Sequence, residues 1–146
     1  MKNNEIIIRY HDLGHGIQEL KPNPKGDWID LATAEPVKLE AGEFKLINLG
    51  VSMQLPKGYE AHLIPRSSTF ARWGIIQTNG MGLIDNSYCG DFDVWKMPAY
   101  ATRHVMIPAM TRIAQFRIVP IMGEVEITPM AVFNTVNRGG FGSTGR

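Results

Sequence analysis

The chain has 146 residues, 44% of them hydrophobic, with 15 basic residues against 14 acidic ones. That is enough apolar surface for one core, and too balanced a charge to hold a nucleic-acid duplex or an anionic membrane through its overall field. The single cysteine, Cys89, excludes an internal disulfide and a thiolate metal site, as a reducing cytoplasm would favour.

In chain order, the first β-forming stretch is "EIIIRY" at 5–10. Its apolar run, Ile6 to Ile8, is far too short for a signal segment or a membrane span, and no later run reaches such a length either, so a cytoplasmic protein with no membrane partner is expected. His11 and His15 are four apart, but Gly14 interrupts any helix and no third ligand follows, so a zinc site is not expected. Turn signals then alternate with short β-rich stretches: "KPNPKG" at 21–26, "EAGE" at 40–43, "FKLINLGVSMQL" at 44–55 and "LPKG" at 55–58. In "YEAHLI", Tyr59, Ala61 and Leu63 alternate with Glu60, His62 and Ile64, the period of a half-buried strand. The one helix candidate is "SSTFARWG", with Ser67 or Ser68 as cap and Gly74 as stop. "TNGMG" at 78–82, "IPAM" at 107–110 and the strand-like "IAQFRIV" at 113–119 complete a pattern that implies an all-β sandwich, jelly roll or barrel.

Four polar clusters interrupt this pattern. In "HLIPRSSTF", Arg66 offers a forked donor and Ser67 and Ser68 add hydroxyls at a helix start, a combination suited to phosphate; an ordinary capped turn is the bland alternative. In "TNGMGLIDNSYCGDFDV", Asn79, Gly80 and Gly82 turn the chain as a hairpin pocket would require, and Asp85 follows Leu83 and Ile84 where a carboxylate could activate water. A solvated hairpin tip fits the same residues. Asp91 and Asp93 would share a strand face, which is more often solvated than metal-binding. In "TRIAQFRIV" the alternation leaves Gln115 buried or lining a site. The tail "NRGGFGSTGR" at 137–146 has too little apolar surface to fold alone, so it should be mobile unless a ligand engages its N–H groups. A single RGG is a weak nucleic-acid signal.

Taken in order, "DWIDLAT" at 27–33, "PRSS" at 65–68, "GLIDNSYCG" at 82–90, "TRIAQF" at 111–116 and "RGGFGSTG" at 138–145 closely resemble the five motifs of the trimeric deoxyuridine triphosphatases (dUTPases). The resemblance spans nearly the whole chain. It departs in the first motif, where Trp28 and Ile29 stand in place of a small Gly-x pair before Asp30.

The resemblance implies a jelly-roll-like β domain over residues 1–136 with one short helix, and a mobile lid over 137–146. It also implies a homotrimer whose active sites are shared between chains. The implied reaction is hydrolysis of dUTP to dUMP and pyrophosphate with Mg2+, which limits uracil in DNA and supplies dUMP for dTMP synthesis. On this reading Asp85 is the general base and Gln115 assists catalysis. Arg66, Ser67, Ser68, Gln115, Arg138, Gly140, Gly142, Ser143 and Thr144 bind the phosphates. Asn79, Gly82, Ile84, Asp85, Tyr88 and Phe141 bind the nucleoside, with Tyr88 against the deoxyribose and Phe141 over uracil. Asp30 would meet the metal through water, and Trp95 is either a second aromatic cover or a buried strand residue. A dCTP deaminase, which shares the fold and an "RSS" followed by an Ala-Arg pair, here Ala71 and Arg72, is one rival. A noncatalytic nucleotide-binding regulator is another, and the sequence leaves room for a second role through a regulatory protein partner.

Overall fold

The computed structural model describes residues 6–13, 19–142 and 144–145; the expectations for His15 and Ser143 lie outside the described residues. The described residues form eleven strands and one short helix: β1 Arg9–Asp12, β2 Ile29–Ala32, β3 Val37–Leu39, β4 Phe44–Asn48, β5 Val51–Gln54, β6 Tyr59–Pro65, α1 Thr69–Trp73, β7 Ile75–Gln77, β8 Gly82–Ile84, β9 Lys96–Ala101, β10 Val105–Ile107 and β11 Arg112–Pro120. Every pairing between them is antiparallel.

Strand order is β2-β11-β6-β8 in the largest sheet and β4-β9-β7 in the next, with two-stranded pairs β1-β5 and β10-β3 completing a jelly-roll-like fold. The "FKLINLGVSMQL" run does not form one strand: it breaks at Leu49 and Gly50 into β4 and β5, which enter different sheets. The alternation in β6 appears as expected, with Ala61 and Leu63 buried. Leu63 and Phe116 face each other across β6 and β11, and Trp95 meets Phe116 edge to face at a centroid distance of 5.0 Å. Each such fully buried side chain contributes about 1.5–3 kcal/mol relative to exposure. Trp95 is therefore a core residue, 1% exposed, and not a second cover over a ligand.

The helix starts and stops where the sequence suggests, but it is fastened differently. Ser68 holds the cap position with helical backbone angles and makes no side-chain cap bond. Thr69 does the local fastening instead: its Oγ1 donates to the Ile113 carbonyl at 2.7 Å and accepts from the Arg66 N–H at 3.0 Å, tying the start of α1 to β11. Gly74 ends the helix as expected, at φ +64, and a Cβ there would stand 2.9 Å from Arg103 Nε.

Beyond Pro120 no described residue belongs to a strand or helix, and residues 121–142 are exposed throughout. Ile127, Phe133 and Val136 are each more than three-quarters exposed in this stretch. The division expected at residue 136 falls inside it.

Candidate functional site

The first half of the site grows out of the pairing of β2 with β11. Gln115 stands opposite Asp30 and also opposite Ile64 of β6, so Asp30 and Gln115 project from one face of the sheet while Phe116 and Leu63, one residue along, point into the core on the other. Pro65 ends β6 beside them and delivers Arg66 to the same place. Arg66 Nε lies 3.1 Å from Asp30 Oδ1, and Arg112 Nη1 lies 3.4 Å from Oδ2, which also accepts a 3.1 Å bond from Asn23 Nδ2. Gln115 Nε2 donates to the Pro65 carbonyl at 3.1 Å. Asp30, Arg66, Ser67 and Gln115 line an open cleft of about 170 Å³ together with Lys25 and Trp28. Trp28 is held there by the Arg117 guanidinium, 5.2 Å from its ring centre, an arrangement a smaller residue could not make.

With two guanidinium groups and an amide on its two oxygens, Asp30 acts as the tether of a cationic cradle. Among the described residues no group of three or more His, Cys, Asp or Glu side chains is placed to cage a metal ion. The cradle suits an anion: Arg66 and Lys25 supply charge, while Ser67, exposed at the end of β6, supplies a hydroxyl and an N–H. Ser68 is exposed beside it.

The second half lies around β8. Asn79, Gly82, Ile84, Asp85 and Tyr88 line a cleft of about 450 Å³ whose floor includes Leu63 and Trp95. The connection is not the hairpin that the sequence suggests, because β7 pairs with β9 while β8 pairs with β6, so the Asn79–Gly80 turn carries the chain from one sheet to the other. Gly80 takes φ +66 in that turn. Gly82 is required for a different reason: a Cβ would meet Leu63 Cβ at 3.1 Å, so the glycine lets β8 press on β6.

Asp85 is exposed, and its Oδ1 accepts from the Ser87 N–H at 2.8 Å and also from the Ser87 hydroxyl. These bonds, the hydroxyl's first, hold its carboxyl below the ordinary value of 3.8. Both fall on one oxygen, so Oδ2 is the oxygen suited to receive a water. The Tyr88 hydroxyl donates to the Val94 carbonyl at 2.9 Å, which fixes its ring at the cleft wall. Asp91 and Asp93 do not share a strand face: they lie in the loop before β9, where Asp93 Oδ2 accepts the Gly90 N–H at 2.9 Å.

The two halves occupy opposite faces of one sheet. Asp30 and Gln115 point away from the core, whereas Leu63 and Gly82 meet on the core side under the β8 cleft. The tail joins neither. Arg138, Gly140, Phe141, Gly142 and Thr144 are exposed, with Phe141 wholly so. Sequence reasoning missed Asn23, Arg112 and Ser87. Arg112 lies inside a recognised motif and Ser87 sits two residues after Asp85, the spacing of a local side-chain-to-backbone turn; Asn23 carried no signal beyond its turn.

Comparison with known proteins gives one answer. Residues 20–145 match the dUTPase family. The chain is 54% identical over 141 residues to the SPbeta prophage-derived deoxyuridine 5′-triphosphate nucleotidohydrolase of Bacillus subtilis (strain 168), covering 97% of this chain and 98% of that protein. It is 36% identical to the deoxyuridine 5′-triphosphate nucleotidohydrolase of Maricaulis maris (strain MCS10), over 84% of this chain and 83% of the relative. In fold it is similar to the dUTPase of Staphylococcus bacteriophage 80alpha, in a variant with dUpNHpp, at a TM-score of 0.76 and 24% identity, covering 95% of this chain and 98% of the other. The dUTPase from Streptococcus mutans is similar at a TM-score of 0.70 and 21% identity, covering 80% and 98%.

Proposed function

This chain belongs to the dUTPase family, and we propose that it hydrolyses dUTP to dUMP and pyrophosphate. The observation that carries this reading is Asp85 beside Asn79 and Tyr88 on one cleft, with one carboxylate oxygen occupied by Ser87 and the other suited to a water. A water oxygen attacks the α-phosphorus, its proton passes to Asp85 Oδ2, and the bond from the α-phosphorus to the bridging oxygen breaks to release pyrophosphate. Asn79 reads the uracil edge and the Tyr88 ring lies against the deoxyribose, where a 2′-hydroxyl would crowd it. Arg66, Ser67 and Gln115 hold the phosphates, Ser67 toward the leaving group.

Mg2+ enters this scheme as part of the Mg–dUTP substrate, shielding the triphosphate charge. Asp30, its oxygens engaged by Arg66, Arg112 and Asn23, is a poor direct ligand and would meet the ion only through water. A cytoplasmic setting, where the enzyme would keep uracil out of DNA and supply dUMP, goes with the reading. No helix among the described residues is long and apolar enough to cross a membrane.

The reading includes a homotrimer with shared active sites. One substrate cannot lie in two clefts on opposite faces of the same sheet, so the phosphate cradle of one chain would serve the nucleoside cleft of another. Support for assembly comes from apolar surface: Phe44, Leu46, Ile76 and Tyr100 are exposed on the β4-β9-β7 sheet, as are Ile127 and Phe133 beyond β11. The tail, with Arg138, Gly140, Gly142, Ser143 and Thr144 on the phosphates and Phe141 over the base, would close the site.

The test supplies dUTP, dCTP, dTTP and UTP separately with Mg2+ and measures pyrophosphate and ammonia. Pyrophosphate from dUTP alone is expected. Ammonia from dCTP would make the chain a deaminase, and no turnover of any of them would leave a nucleotide-binding regulator.

A further inference from the structure

Gln77, the last residue of β7, is 5% exposed and does not line the nucleoside cleft, yet it bonds to a residue that does. Its Nε2 lies 3.0 Å from the Leu63 carbonyl oxygen and 2.8 Å from Asn79 Oδ1. We infer that Gln77 positions the Asn79 amide so that it meets the base with N–H donors, and so makes the cleft prefer a pyrimidine carbonyl to a pyrimidine amino group.

The argument is a chain of forced choices. A backbone carbonyl can only accept, so the Gln77 atom facing Leu63 must be the amide nitrogen. Turning the amide over would press Oε1 against the Leu63 oxygen in a buried position, where an unmade bond costs most. Gln77 Oε1 is itself buried without a hydrogen-bond partner, so nothing on that side competes for the orientation. The second hydrogen of Nε2 then points at Asn79, which must answer with its oxygen. Backbone bonds hold the two residues in register, the Thr78 N–H donating to Pro98 at 3.0 Å and the Met81 N–H to the Asn79 carbonyl. With Oδ1 turned toward Gln77, the atom on the other arm of the Asn79 amide is Nδ2, a donor only.

The consequence rests on the reading of this cleft as the dUTP base site. Where uracil has a carbonyl at C4, cytosine has an amino group, so a fixed donor would accept the first and oppose the second. Discrimination would then come from a side chain that never touches the nucleotide.

Five proteins test this: wild type, Gln77→Leu, Asn79→Ala, the double variant of these two, and Gln77→Met as a second donor-free replacement. Melting temperature, kcat and KM for dUTP, and the inhibition constant of dCTP against dUTP are measured on each. In Gln77→Leu or Gln77→Met, KM for dUTP should rise about three- to tenfold, the range of one neutral hydrogen bond, with kcat within about twofold. The ratio of the dCTP inhibition constant to the dUTP KM should fall by a similar factor. On the Asn79→Ala background the Gln77 change should add less than about twofold, because there is no amide left to orient. An unchanged KM and ratio, or an equal effect with and without Asn79, would overturn the inference, as would failure of both Gln77 variants to fold. Calorimetric binding of dUMP and dCMP reads the same preference without turnover. Wild type that binds dUMP over dCMP but hydrolyses nothing would therefore sink the hydrolase reading alone.

Discussion

Asp30 on β2 and Arg66 just beyond β6 meet as a 3.1 Å ion pair, with the carboxylate side chain 11% exposed and the guanidinium side chain 24% exposed. Asp30 is thus anchored before any substrate arrives, in ion pairs with both Arg66 and Arg112. Asp30→Asn should raise KM for dUTP more than it lowers kcat, and should lower stability by about 1–3 kcal/mol, since one partner of a partly buried pair is left unmatched. A Mg2+ titration of the variant gives the decisive reading. An unchanged half-saturating Mg2+ concentration fits a tether, whereas a large increase would return Asp30 to the water shell of the metal.

Asp85→Asn keeps the side-chain shape and removes the base. Turnover should fall at least about 100-fold while binding of a non-hydrolysable dUTP analogue stays within a few-fold. Retention of more than about a tenth of wild-type turnover would contradict the assignment.

With Asp85 as the proposed base, Ser87 should set the acid edge of activity. Its hydroxyl and N–H hold the Asp85 carboxyl below the ordinary range, so the base stays ionised above that lowered pKa and activity is lost only as pH falls through it. Ser87→Ala removes the leading cause of the shift. Its kcat/KM profile should lose activity at a higher pH than wild type on the acid side, with the neutral plateau retained. A limb that stays in place would show that Asp85 is not the group being titrated.

Two truncations separate the proposed lid from the rest of the exposed C-terminal stretch. Removal after Val136 deletes Arg138 and Phe141 but no core contact, so melting temperature and assembly should be unchanged while dUTP turnover falls sharply. Removal after Pro120 also deletes Ile127 and Phe133, whose exposed apolar surface we assign to contact with another copy, and light scattering should then report a smaller species. Near-normal turnover in the shorter truncation would exclude a lid.

Phe141→Ala should weaken dUTP binding by about 1–3 kcal/mol if the ring stacks on uracil, on the scale of aromatic platforms for bases. Calorimetry with the non-hydrolysable analogue measures this directly; inorganic pyrophosphate, which has no base, should bind the variant as it binds wild type.

Local chemistry was legible wherever a residue's neighbours in sequence decide its environment. The alternation of β6, the stop at Gly74 and the all-β class follow from side-chain period and backbone preference, and they stand in the structure. The motif order identified the family from the residues alone. The serine cap bond and the hairpin did not come out as read, although Ser68 does hold the cap position. Thr69 displaced Ser68 as fastener because β11 supplies an acceptor from elsewhere in the chain, and the Asn79–Gly80 turn joins two sheets because the β7 and β8 partners are not each other.

The sequence by itself determined which chemical groups the protein has and the order in which they come: a carboxylate with a serine two residues on, glycines just before it, and a tail too poor in apolar surface to fold. Only the tertiary structure decided what those groups face. Strand pairing put Asp30 opposite Gln115 and both on the face away from Leu63, and it brought Gln77 under Asn79 with the Leu63 carbonyl as the fixed acceptor. Such relations depend on register between segments distant in the chain. A shift of one residue turns a side chain to the other face, and register is set by burial of the whole core rather than by any local motif.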